Sequence, residues 1–123
     1  MATFAQSYQD IPNGADLFNA LQAFGDPNEV KIADPTDSFN FFYPLGFTIS
    51  AWVKYDPVDD YQNIVTKQDT GAKTGFTFQI HGEDLRLVLR TGSSYEIFTA
   101  DTTLIADQWY HVAVGYTGNY VRF

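Results

Sequence analysis

Phe47-Thr48-Ile49-Ser50-Ala51-Trp52-Val53-Lys54 alternates in type along its whole length. Phe47, Ile49, Ala51 and Val53 fall on one side and Thr48, Ser50, Trp52 and Lys54 on the other, the two-residue period of a strand that buries one face of a sheet. Trp52 among the polar positions implies cover on the second face too. Asp56-Pro57 ends the run, because proline has no N–H for the ladder and steers its neighbour into a turn.

Downstream the pattern is strand, polar turn, strand. Asn63-Ile64-Val65-Thr66-Lys67 reads as a second strand, followed by a loop of small and polar residues from Gln68 to Lys73. A hairpin comes next. Phe76, Phe78 and Ile80 alternate with Thr77 and Gln79, His81-Gly82-Glu83-Asp84 reverses the chain, and Leu85, Leu87 and Leu89 alternate with Arg86, Val88 and Arg90. After a turn at Thr91-Gly92-Ser93-Ser94, Tyr95, Ile97 and Thr99 alternate with Glu96 and Phe98 in a short strand whose mixed faces mark a sheet edge. Trp109-Tyr110-His111-Val112-Ala113-Val114-Gly115-Tyr116 is apolar on both faces and predicts a central strand of a sandwich. Thr117-Gly118-Asn119 turns the chain into a further strand at Tyr120. The helical period is confined to residues 15–24, where Leu17, Phe18, Leu21 and Phe24 share one face, predicting a short N-terminal helix, with an irregular strand as the alternative because the run is near the minimum helix length.

The chain of 123 residues is long enough for one core, and its 11 Phe, 8 Tyr and 2 Trp favour pleated surfaces. Seven Lys and Arg against 15 Asp and Glu give a net charge of -8, a field that repels nucleic-acid phosphates and anionic lipid heads. With no cysteine, disulfides, zinc-thiolate sites and thiol catalysis are excluded. The opening residues have neither a basic nor an apolar leader segment, and no stretch approaches the ~18 apolar residues of a spanning helix, so a soluble chain without membrane insertion is expected.

Three segments, in this order and spacing, resemble the laminin-G-like or concanavalin-A-like jelly-roll superfamily that also contains the pentraxins. They are the stretch from Phe47 to Lys54, Ile64-Val65-Thr66-Lys67-Gln68-Asp69, and the stretch from Trp109 to Val114 followed by Tyr116-Thr117-Gly118-Asn119-Tyr120-Val121-Arg122-Phe123. Phe24-Gly25-Asp26-Pro27-Asn28-Glu29-Val30-Lys31-Ile32 is similar to the lead-in to the family's early strand. The resemblance implies an all-β, two-sheet antiparallel β-sandwich filling one domain, residues 1–123, with 1–24 as lead-in. In the family the strand at Tyr120 runs on into a hairpin and several more strands. The expectation is therefore a C-terminally truncated domain: part of a longer polypeptide first, and otherwise one completed by a strand-donating partner chain or by strand exchange in a homo-oligomer.

The candidate chemistry is sparse. Asp59-Asp60 and Glu83-Asp84 are adjacent pairs, whose side chains diverge on a strand, and no strand carries the alternating acids of a glycoside hydrolase. His111 reads as a packed core residue and His81 as a turn residue. Pentraxin-like relatives place an acidic or amide pair in the loop after the Thr-Lys segment, and Asp69 stands at that position with Thr70 beside it. The resemblance thus implies calcium with Asp69 as a partial ligand; Asp26, Asn28 and Asp34 form a second acidic-amide cluster. Among the aromatics, Tyr43, Tyr55, Tyr61 and Tyr95 are the loop or edge candidates for stacking on sugars, with Tyr95, Tyr61 and Tyr55 as the expected ligand-binding residues.

These readings imply a non-catalytic recognition or adhesion module, binding a glycan or protein ligand in an extracellular or surface-exposed protein. A structural module of a virion fibre, tail or capsid decoration is the alternative. The first rests on the resemblance, because a fold does not by itself carry a function.

Overall fold

The computed structural model of the protein describes residues 46–57, 61–69 and 74–123. They belong to the second of the two compact units, Met1–Ser38 and Phe39–Phe123, into which the chain divides. The helix expected at 15–24, the lead-in at 24–32, Asp26, Asn28, Asp34, Tyr43 and the Asp59-Asp60 pair lie outside the described residues.

Seven strands follow in order: β1 (Phe47–Lys54), β2 (Tyr61–Asp69), β3 (Thr74–His81), β4 (Asp84–Thr91), β5 (Ser94–Thr103), β6 (Trp109–Tyr116) and β7 (Val121–Arg122). They form a three-stranded sheet ordered β1-β6-β7 and a four-stranded sheet ordered β2-β3-β4-β5. Every pairing is antiparallel. The two-faced apolar strand is the central one, β6, and the mixed-face strand β5 is an edge of the described sheet, both as expected.

Register follows from matching apolar periods. Ile49 sits opposite Val114, and Ala51 opposite Val112, so the inward faces of β1 and β6 coincide. On the other sheet Phe76, Phe78 and Ile80 oppose Leu89, Leu87 and Leu85. A slip of one residue would turn either set outward, which is why burial pins the pairing. These residues, with Leu104, Val112, Val114 and Tyr55, make one core between the sheets; Phe78, Leu87 and Val114 are fully enclosed. Each such burial contributes about 1.5–3 kcal/mol relative to exposure. Phe47 of one sheet stacks on Phe76 of the other, ring centroids 5.0 Å apart.

Several strands outrun their sequence signal. His81 pairs with Asp84 and Thr91 with Ser94, so both hairpins close through two residues, Gly82-Glu83 and Gly92-Ser93. Gly82 and Gly92 have φ of 60° and 64°, while Glu83 and Ser93 keep negative φ, the type II′ arrangement whose first position favours glycine. Gln68 and Asp69, expected in a loop, pair with Gly75 and Thr74 and lengthen β2. β5 continues to Thr103 beside β4, although Ala100 and Asp101 carry little strand preference of their own. Beyond it, Leu104 donates its N–H to the Glu83 carbonyl at 2.8 Å, and Asp107 donates to the Tyr55 carbonyl at 2.8 Å, tying the chain between β5 and β6 to both sheets.

Candidate binding face

The outer face of the four-stranded sheet is built from residues opposite the Phe-Phe-Ile and Leu-Leu-Leu ladders. β3 contributes Gly75, Thr77, Gln79 and His81; β4 contributes Asp84, Arg86, Val88 and Arg90; β5 contributes Tyr95, Ile97 and Thr99. β2 joins them through a β-bulge between Asn63 and Val65. The extra residue reverses the side-chain parity: Tyr61 and Asn63 precede it, Thr66 and Gln68 follow it, and all four sit opposite outer-face residues of β3. Ile64, inside the bulge, packs against the core.

In the middle of this face Thr77 is 4% and Gln79 8% exposed. The Thr77 hydroxyl is satisfied, lying 2.8 Å from the Thr66 hydroxyl and accepting from Gln68 Nε2 at 3.0 Å. The Gln79 amide is not among the buried side-chain polar atoms that lack a partner, which among the described residues are the Nε atoms of Arg86 and Arg90. Gln79 lies between Asn63 of β2 and Arg86 of β4 in one row across the strands, with backbones about 5 Å apart. Arg86 donates from Nη2 to Asp84 Oδ2 at 3.3 Å, while its buried Nε has no partner. Next to this row, Tyr61 and His81 bring their rings together at 4.2 Å, and Tyr61 is 63% exposed.

An exposed ring beside amide and guanidinium groups with unused hydrogen-bonding capacity suits a polyhydroxylated ligand. The ring covers an apolar C–H face, and an amide donates to one hydroxyl while accepting from another. Asn63, Gln79 and Arg86 escaped the sequence reading. Hairpin alternation already placed Gln79 and Arg86 on one face, but the bulge that adds Asn63 leaves no mark in the residue pattern.

The structure distributes the expected residues unevenly. Tyr61 belongs to this site. Tyr95 is on the same face, 56% exposed, at the diagonally opposite corner, roughly 25 Å away at ordinary strand spacings. Tyr55 is a correction: at 4% exposure it is part of the core, held where the turn at Asp107 bonds its carbonyl, and it offers no face for stacking. His81 is not a turn residue but the last residue of β3. His111, expected in the core, is exposed on the outer face of the three-stranded sheet, its ring 5.3 Å from that of Trp52. Its neighbours Val112 and Tyr110 take the inward positions, and strand parity turns His111 outward.

Asp69 ends β2 with its backbone paired to Thr74, Asp26 and Asn28 lie outside the described residues, and among the described residues no group of three or more His, Cys, Asp or Glu could hold a metal ion. Nor is any helix among them long and apolar enough to cross a membrane.

Neither the curated proteins nor the solved structures yielded a match. A family model does match, over residues 24–123, which contain both sheets, the bulged strand and the row at Gln79. By that match the chain belongs to the Laminin_G_3 family of the Concanavalin A-like lectin/glucanases superfamily, a superfamily of binding modules for the most part.

Proposed function

We propose that this domain is a non-catalytic glycan-recognition module that binds through the outer face of its four-stranded sheet. Domains of this family commonly bind glycans or proteins and are typically extracellular or surface modules. The observation that favours a glycan is the Tyr61–His81 ring pair, with Tyr61 exposed, beside a row of polar side chains, Asn63, Gln79 and Arg86, in which the buried Arg86 Nε has no partner. A sugar ring on Tyr61 would bring its hydroxyls over that row, where an oxygen reaching Arg86 Nε satisfies a donor whose desolvation folding has already incurred.

The test is a glycan array probed with the wild type, Tyr61→Ala and Gln79→Leu. At least one glycan class should be retained by the wild type and lost or weakened about tenfold in both variants, the loss of one aromatic or bidentate contact. An array silent for the wild type, or equal signals for all three proteins, overturns the reading.

A further inference from the structure

The opposite corner of the same face holds a cation that the glycan site does not use. Arg90 points outward from β4, and its guanidinium carbon lies 5.1 Å from the ring centroid of Tyr95 on β5. Tyr95 is its directly opposite partner in the strand register, so the backbone enforces the pairing. The Arg90 Nε is buried with no hydrogen-bond partner, and among the described residues no carboxylate forms an ion pair with it. That is unusual where acids outnumber Lys and Arg by 15 to 7. Arg86, two positions along the same face, is already neutralised by Asp84 at 3.3 Å.

From this we infer that Arg90 and Tyr95 form an acid-recognising subsite, so that the glycan bound on this face carries carboxylate or sulfate groups. A guanidinium presents Nε–H and Nη–H as a planar fork matched to two oxygens of an acid. The ring of Tyr95 keeps the fork flat, and because Tyr95 is more than half exposed on an edge strand, it can swing aside and uncover Nε to the ligand. An unbonded buried donor is a standing penalty that an acidic group arriving at Nε and Nη would remove. The subsite rests on the glycan-binding reading and extends it: a chain lying from Tyr61 toward Tyr95 would meet hydroxyl-binding groups first and a cation last.

The experiment measures affinity of the full chain for neutral dextran, polygalacturonate (carboxylate) and dextran sulfate, at low salt and at about 0.5 M salt, where surface electrostatics are screened. The wild type should prefer at least one acidic polymer to dextran, and which one it prefers separates carboxylate from sulfate. Arg90→Gln should weaken that binding about tenfold and flatten its salt dependence. Arg90→Lys keeps the charge and the apolar stem but not the fork; it should lose an intermediate amount, and it carries the test if Arg90→Gln does not fold. No preference for either acidic polymer, or equal acid binding by wild type and both variants, overturns the inference. Gln79→Leu separates the two ideas: loss of binding to all polymers there, with no effect at Arg90, leaves the glycan reading standing and removes the acidic subsite.

Discussion

Phe47 and Phe76 stack across the sandwich with centroids 5.0 Å apart and planes inclined by 30°, one ring from each sheet. Phe76 is 2% exposed, while Phe47 is half-buried and also meets Tyr116 at 5.6 Å. Phe76→Ala is expected to lower stability by about 3–5 kcal/mol, and Phe47→Ala by less, because the remaining cavity is open to water. Urea unfolding of both single variants and the double variant should give a coupling of about 0.5–1.5 kcal/mol beyond area burial. Additive effects would mean that the rings do not interact.

The two tyrosines that sequence reasoning grouped together should separate cleanly. Tyr55→Ala removes a core ring and should cost about 3–5 kcal/mol, whereas Tyr61→Ala, at an exposed strand end, should change stability by no more than about 0.5 kcal/mol while weakening glycan retention. Thermal melts beside the glycan array check both halves. A stable Tyr55→Ala protein would contradict the position of that residue under the Asp107 turn.

Gln79→Leu is the sharpest of the substitutions, because stability and binding should move apart. Leucine is close in size to glutamine and the Gln79 amide has no structural bond to lose, so the unfolding free energy should change by no more than about 1 kcal/mol. Binding should fall. A destabilisation of about 2 kcal/mol or more would mean that the amide is bonded within the folded protein and has a structural role.

Much of the sandwich was legible because burial writes a period of two into the chain. The alternations of Phe47 to Lys54 and Phe76 to Arg90 name their own inward faces, and the apolar faces of Trp109 to Tyr116 announce a central strand. The aromatic content and the three quoted segments pointed to the family whose model matches residues 24–123. Less of the candidate site could be read. Tyr61 was identified as an exposed ring, but Tyr55, equally aromatic and next to a proline turn, is core; composition cannot tell a ring that a turn folds over from one left outside. His111 looked buried because its neighbours are apolar, when the parity of those neighbours turns it outward.

What the sequence determined by itself is the inward faces of β1, β3 and β4, since the burial of those strands follows a local alternation that any partner sheet would read in the same way. What only the tertiary structure decided is which outward residues meet. The bulge at Asn63 and Val65, the register of β2 on β3 and of β4 on β5, and hence the meeting of Tyr61 with His81, of Asn63 and Arg86 with Gln79, and of Arg90 with Tyr95, come from pairing between segments distant in the chain. Side chains on a solvent-facing surface bring no period to the sequence, because nothing is buried there to select one.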